Sequence, residues 1–469
     1  MTKTGKLLIL GFLSSSISLA CHSTPITFNN AWSLLKENNY SLKAQQANVS
    51  TYEYRQKATD NLDLPNITIG ANYTYLDNDV TVSGQQLLDS TDLPRLPKLD
   101  DLLAGLLNSK STITERDVFT SSIRAIWPIF TGGRIDAAQA AAQGKTEEAK
   151  SQLAMEQQAR YEDLAKYYFS VILAKEVLNT RQEVVKGLEK HRLFAQKMEQ
   201  QGQIAHVETL QAEASLSTAK VAANKAASSL NIAQAALNKL LVQTDPLQPT
   251  ESLFINNNLP PLSAFIDQTL LTYPGLDLLD AKNKQAESLL QAEKGKYYPE
   301  VYLYGDYTLY EGDSLASQMA PDWLVGVGVS IPLIESNGRS EQVKAAQSML
   351  VQIDALKSQA KQDLSLLVQK TYQEAQQAID EVKGLDTSLT LANENLRLRQ
   401  NAFKQGLSSS LDVVDAQLYL ANIETQQSVA RFHYLIALVK LLAVSNEMDS
   451  FAQYQQTAYT QTLNTKEVK

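Results

Sequence analysis

Two carboxylates three residues apart are the side chains of this sequence with the clearest capacity for chemistry. Asp412 and Asp415 follow a Gln-Gly turn at Gly406, and at this spacing they share one face of a helix. Neighbouring carboxylates attract cations and raise each other's pKa. Acids in a first helical turn also stabilise the helix start, and the serines at 408–410 are N-cap candidates. Both interpretations of the pair stay open on the residues alone.

The rest of the sequence contains no recognisable catalytic constellation. The four histidines (His22, His191, His206 and His433) lack the spacing of metal ligands. No nucleophile motif, phosphate-binding loop or carboxylate pair in a cleft-like context is present. We therefore expect a protein that is not an enzyme and that holds no cofactor and no metal.

The N-terminus has the features of a secretory signal. Lys3 and Lys6 precede an apolar run, and a small-x-small cleavage site ends at Ala20. Residues 1–21 are therefore predicted to be a signal peptide. Its removal would change the net charge from −9 to −11, a balance that argues against binding of nucleic acid.

Cys21 is the single cysteine, so a disulfide within the chain is excluded. Its place directly after the small residues suggests lipidation of the thiol. Ser18, however, stands where lipoprotein signals usually carry leucine. Acylation of Cys21 and plain cleavage nearby are therefore both kept as possibilities.

Strands and very long helices are the elements that must position the acidic pair. Apolar and polar residues alternate with period two at about 66–76, 118–130, 301–310 and 323–333, which predicts four strands. No later run reaches about 18 apolar residues, so no transmembrane helix is predicted, and only strands could enter a membrane. Because an isolated hairpin is marginal in water, these strands need others to pair with.

Long stretches of the chain lack proline and are rich in Ala, Gln, Leu, Lys and Glu. This composition predicts helices at about 134–200, 206–241, 339–404 and 409–444. The longest would extend about 100 Å at about 1.5 Å per residue. Small and apolar residues spaced three and four apart over 375–396 predict a coiled-coil seam. A first helical segment is expected at 26–60, and the polar tail at 447–469 is predicted to be disordered.

The strand and helix pattern occurs twice. Pro65 and Pro299 lie 234 residues apart, whereas Gly202 and Gly406 lie 204 apart. The offset changes between the two strands of each half, which indicates an internal duplication with a first loop about 30 residues longer. The repeats are predicted at 22–246 and 247–446.

This order of elements behind a signal peptide resembles the TolC-like outer membrane efflux protein family, also called outer membrane factors. The resemblance covers about residues 26–446. It is carried by two strand-to-helix motifs, by Gln-Gly turns followed six residues later by Glu208 or Asp412, and by a short acidic stretch. The two strand-to-helix motifs are Phe130-Thr131-Gly132-Gly133-Arg134 and Ser336-Asn337-Gly338-Arg339. The acidic stretch is Asp412-Val413-Val414-Asp415-Ala416.

The resemblance implies an α+β fold in a homotrimer. Four strands per chain would form a shared 12-stranded outer membrane β-barrel, continued by a periplasmic α-helical coiled-coil barrel. The implied function is the outer membrane exit duct of a tripartite efflux pump or of a type I secretion system. Its partners would be a periplasmic adaptor, an inner membrane transporter and the outer membrane lipid.

The resemblance also implies roles for particular residues. Asp412 and Asp415 would narrow the tunnel entrance, and the two turns would dock the adaptor. In some family members a tyrosine and an arginine close the tip, where this chain has Phe403 and Ser408, so its closing contacts are expected to differ. The docking residues would be Gln201, Gly202, Gln203, Ile204, Gln405, Gly406, Leu407 and Ser408. The strand-to-helix transitions would be at Pro128, Gly132, Gly133, Pro332 and Gly338.

Two other functions compete with the duct. A structural or adhesive coiled-coil surface protein would explain the heptads and the signal peptide. It leaves four amphipathic strands and two matched glycine turns unexplained. A stand-alone porin would need no helices about 100 Å long.

Overall fold

The computed structural model describes residues 24–90, 104–312, 314–334 and 336–458. The predicted signal peptide, Cys21, part of the first long loop and residues 459–469 lie outside this description. The chain divides into two compact units. The first takes in the chain up to Ala47, Ser151–Asp277 and the chain from Ser358, and the second comprises Asn48–Lys150 and Leu278–Lys357.

The described residues form eight strands and two pairs of very long helices. The strands are Thr24–Ile26 (β1), Asn66–Tyr75 (β2), Val80–Ser83 (β3), Lys110–Thr114 (β4), Asp117–Phe130 (β5), Leu247–Pro249 (β6), Glu300–Glu311 (β7) and Trp323–Ser330 (β8). The long elements are the first long helix Arg134–Gln200, the first return helix His206–Leu240, the second long helix Arg339–Lys404 and the second return helix Ser410–Val444. Shorter helices are Phe28–Asn38, Tyr40–Thr59, Gly84–Asp89, Ala104–Leu107, Leu262–Thr272, Pro274–Gly295 and Leu315–Met319.

The second unit is built on an antiparallel sheet of order β2-β5-β7-β8. Its register separates the two faces that the alternation predicts. One apolar row crosses the sheet through Ile69, Ile123, Tyr307 and Trp323. On the other face, Arg124 lies opposite Asp306, and the guanidinium Nε donates to the carboxylate at 3.0 Å. In a single chain both outer strands, β2 and β8, keep one unpaired edge within this sheet.

The glycines of β8 make room for tyrosines of β7. Tyr302 lies opposite Gly328 and Tyr304 opposite Gly326 in the ladder. A Cβ built on Gly328 would lie 2.3 Å from the Tyr302 ring, so a larger residue there would require the ring to move. The small residues predicted for this face of β8 therefore have a packing reason.

The predicted loops contain more regular structure than the sequence indicates. The first loop, expected at 77–117, contains β3 and β4 paired antiparallel. β5 continues past Pro128 to Phe130 with an irregularity in its pairing, whereas β8 ends at Ser330, two residues before Pro332.

The first described residues, from Thr24, lie beside a small aromatic core of the first unit. β1 pairs in parallel with β6, and Phe28 packs against Tyr161, Tyr168, Phe169 and Phe451. The prediction of disorder is wrong for residues 448–458, which are helical. Phe451 and Ala458 are both 1% exposed, and the Tyr161 hydroxyl donates to the Met448 carbonyl at 3.0 Å, so buried apolar contacts hold an otherwise polar segment.

The second long and return helices pack along the predicted seam. Ala392, Leu420 and Ile423 form a buried cluster, flanked by Leu385, Leu389 and Leu396. By length and composition, the second return helix is the one described helix that would suit a membrane span. Its most apolar window is 61% buried inside the protein, which is typical of a core helix.

Candidate functional tips and strand-to-helix transitions

Each long helix ends in the same hydrogen-bonded turn. Gly202 has φ +68° and Gly406 has φ +73°, the left-handed conformation that glycine adopts without steric cost. The Gln203 N–H donates to the Met198 carbonyl, and the Leu407 N–H donates to the Ala402 carbonyl, both at 2.9 Å. This five-residue span closes a Schellman motif, in which glycine at the left-handed position ends the helix.

The eight predicted docking residues surround these two turns. Gln201, Gly202, Gln203, Gln405, Gly406 and Leu407 are exposed, whereas Ile204 and Ser408 are half-buried. Leu407 is 77% exposed, so the second turn presents an apolar side chain to solvent. Ile204 instead packs on the core beneath the turns.

All four helix ends share that core. Ala195 and Met198 come from the first long helix, Ala212 from the first return helix, and Phe403 and Val413 from the second pair. Phe403 is 2% exposed, and its ring lies 4.7 Å from the His191 ring, centroid to centroid. Phe403 is therefore part of the packing that joins the two turns.

Asp412 is held in a capping box at the start of the second return helix. Its Oδ2 accepts hydrogen bonds from the Ser409 N–H at 2.9 Å, the Ser409 hydroxyl at 2.8 Å and the Ser408 hydroxyl at 2.9 Å. The Ser409 hydroxyl in turn accepts from the Asp412 N–H at 3.2 Å. These hydrogen bonds, with Arg399 nearby, hold the pKa of the Asp412 carboxyl below its ordinary value. The capping interpretation left open by the sequence thus describes Asp412.

Asp415 occupies a different environment one turn later. It is exposed and makes no hydrogen bond or ion pair within the part of the chain that the structure describes. The two carboxylates share a helix face, but Asp412 is engaged by its cap and by Arg399 at 3.6 Å, whereas Asp415 has no such partner among the described residues.

Three residues at the tips escaped the sequence analysis as a group. The Glu208 carboxylate accepts from the Ser410 N–H at 2.7 Å, and the Ser410 hydroxyl lies 2.7 Å from His191 Nε2. They join three helices from both repeats. The acidic position after each glycine turn drew attention to Glu208, but no pattern within one repeat indicates a contact with the other.

The strand-to-helix transitions rely on positive φ at glycine. Gly132, Gly133 and Gly338 have φ of +64°, +78° and +64°. A Cβ built on Gly132 would lie 2.4 Å from the Gly295 carbonyl oxygen, whereas one on Gly133 would meet nothing within 4 Å. Gly132 is therefore required both by its conformation and by a close backbone approach.

An arginine follows each transition, and its side chain contacts residues that lie next to or within the strands. The Arg339 guanidinium donates to the carbonyls of Lys296 and Pro332, both at 3.1 Å, and stacks on the Tyr297 ring. Arg134 pairs with Glu300 and donates to the Thr131 carbonyl at 3.1 Å. These contacts offset the unfavourable position of a cation in a first helical turn.

In the described residues, no three His, Cys, Asp or Glu side chains gather as metal ligands would.

A family model, the outer membrane efflux protein, matches residues 31–242 and 265–447. The chain belongs to the outer membrane efflux protein family. The two matched segments correspond to the two repeats, and the family is one of outer membrane channels with a large periplasmic helical part.

Solved structures have the same fold as this efflux protein. CusC superimposes with a TM-score of 0.73 at 15% identity, over 89% of this chain and 92% of that one. The MtrE outer membrane channel of Neisseria gonorrhoeae gives 0.71 at 19% identity, over 90% and 89%. VceC of Vibrio cholerae gives 0.69 at 13%, over 89% and 95%. A search of curated proteins by sequence finds no match.

Proposed function

We propose that this efflux protein is the outer membrane exit duct of a tripartite efflux pump or a type I secretion system. The observation that carries the proposal is the open sheet with free edges at β2 and β8. Four strands enclose no water-filled pore, whereas three copies paired edge to edge give 12 strands. The functional form is therefore a homotrimer, with the apolar sheet face toward outer membrane lipid.

The helices supply the periplasmic part of the proposed duct. Exposed residues at both tip turns, among them Leu407, offer a surface for a periplasmic adaptor. An inner membrane transporter would supply the energy and most of the substrate choice, as the resemblance to the outer membrane efflux protein family implies. Relatives support this assignment: MtrE is an outer membrane channel, and the CusC structure concerns transmembrane channel formation.

We assign the constriction to the acidic pair, with divided roles. Asp412 fixes the start of the second return helix through its capping box. Asp415 is exposed, and three copies would present a ring of carboxylates to the permeating ion.

We also propose that the Cys21 thiol is an acylation site, where an attached lipid would add a membrane anchor.

Conductance in planar bilayers tests both the duct and the ring. We expect discrete cation-selective steps from the purified trimer. Asp415→Asn should lower cation selectivity and sensitivity to multivalent cations, since it removes three charges from the trimer. Glu189→Gln, an exposed acid on the first long helix, is the matched control and should leave selectivity unchanged.

Two results would count against this assignment. Steps that keep their selectivity in Asp415→Asn would place the constriction at other residues. Folded trimers that never conduct, and that do not fractionate with the outer membrane, would contradict the duct itself.

A further inference from the structure

The tip contains a buried titratable ring that the duct function does not require. His191, on the first long helix, is 9% exposed. Its Nε2 lies 2.7 Å from the Ser410 hydroxyl, which is fully buried, and its ring packs on Phe403. The same serine is held through its N–H by Glu208. We call His191, Ser410 and Glu208 the tip latch, because they bind the second return helix to both elements of the first repeat.

The charged groups around this ring do not compensate a positive charge on it. Glu208, from the first return helix, attracts a proton to His191, but burial has the larger effect and lowers the pKa of the imidazole. Lys190 on the same helix and Lys404 on the second long helix line the groove beside it. From the second return helix, Ser410 faces the ring, while Asp412 is turned to the serines of its own cap.

We propose that the tip latch is pH-sensitive, and that acidification of the tips releases the second return helix from the first long helix by charging His191. We call the packing described above the closed tip, and the state in which the second return helix has separated from the first long helix the open tip. The neutral ring can accept from the Ser410 hydroxyl or donate to it, and both arrangements fit the closed tip. The charged ring can only donate, and beside Phe403 it loses hydration that an open tip would restore. Protons therefore bind the open tip more tightly than the closed tip and shift the population toward it.

The consequence for transport rests on the proposed function, but the latch itself does not. If the chain is a duct, a more acidic periplasm would loosen its inner end without any contact from the adaptor. A purely structural histidine would give the same neutral-pH packing and no response to pH. The test must therefore follow tip separation against pH.

Double electron–electron resonance between the two turns measures that separation. Spin labels are placed on Gln201→Cys and Gln405→Cys, both exposed, in a chain with Cys21→Ser. An excess of unlabelled chain during assembly leaves one labelled copy per particle. Distances are recorded between about pH 7.5 and about pH 5, the range in which histidine titrates.

We expect the wild-type distance to lengthen below the ordinary histidine pKa of 6.5. Each unit by which the two states differ in pKa changes the open-to-closed ratio about tenfold. His191→Gln keeps a polar side chain that does not titrate and should abolish the response. Ser410→Ala should increase the fraction of molecules with the longer distance already at neutral pH, because the hydroxyl partner of His191 is lost.

Matched variants keep the test decisive. His206→Gln removes an exposed histidine from the start of the first return helix and should respond like the wild type. His191→Phe provides a second chain without the titrating ring if His191→Gln fails to assemble. An unchanged wild-type distance, or an equal response in either His191 variant, overturns the latch. Conductance that is missing at every pH would count against the duct alone.

Discussion

The Glu208 carboxylate accepts a hydrogen bond from the Ser410 backbone N–H at 2.7 Å, so an acid of the first repeat caps a helix of the second. The second return helix therefore begins between two carboxylates, Asp412 of the same helix and Glu208 of the first return helix. Both occupy the sixth position after a tip glycine. The duplication has thus placed two equivalent acids on one helix N-terminus, where a negative charge is most favourable.

Substitution of Glu208 by Gln should loosen this helix start. Loss of a charge-assisted cap costs about 1 kcal/mol, which corresponds to about fivefold faster local opening. Hydrogen exchange at residues 410–414 measures the effect. Glu189→Gln, on an exposed surface of the first long helix, should leave those rates unchanged. Equal exchange in Glu208→Gln and the wild type would show that Asp412 suffices as the cap.

Val242 should be replaceable with a gain in stability. It ends the first return helix at φ 55°, where its repeat counterpart Asn446 has φ 57°. Both helices end in Schellman motifs, with the next N–H donating to the Asn238 or the Leu442 carbonyl. A β-branched residue is strained in this conformation, whereas asparagine tolerates it.

Val242→Asn should therefore stabilise the helix end by about 1 kcal/mol. Hydrogen exchange in the last turn of the first return helix should slow by about fivefold. The reverse change, Asn446→Val, should accelerate exchange at the end of the second return helix by a similar factor. Slower exchange in Asn446→Val would contradict the strain argument.

Two adjacent glycines separate backbone strain from steric clash. Gly132→Ala and Gly133→Ala both place a side chain at positive φ, but only the first drives a Cβ into the Gly295 carbonyl. Gly133→Ala should cost about 1 kcal/mol and still give trimers. Gly132→Ala should abolish or sharply reduce trimer yield, measured by detergent extraction and size-exclusion chromatography. Equal yields would show that the Gly132–Gly295 approach can relax.

The sequence predicted the elements better than their contacts. Period-two alternation and proline-free composition depend on local geometry, so β2 and the first long helix lie where those patterns place them. The latch depends on Ser410 meeting His191, 219 residues away, and no local pattern encodes that contact. The helical segment at 448–458 was missed because the burial of Phe451 and Ala458 outweighs a polar composition.

The N-terminal core should respond to pH through Glu251. Its carboxylate accepts from the Phe28 N–H at 2.8 Å and from the Tyr168 hydroxyl, and burial raises its pKa above the ordinary 4.5. The folded state therefore binds this proton more tightly than the unfolded chain. Its contribution to stability is fully present below about pH 4.5 and falls as pH rises through the raised pKa.

Exchange of the Phe28 amide, corrected for its intrinsic pH dependence, follows this effect directly. In the wild type the amide should be better protected near pH 5 than near pH 7.5, since the ionised carboxylate is buried at a cost. Glu251→Gln cannot ionise and should make protection independent of pH over that range. Asp267→Asn, on the helix Leu262–Thr272, should retain the wild-type dependence. A pH dependence that survives Glu251→Gln would assign it to another group of this core.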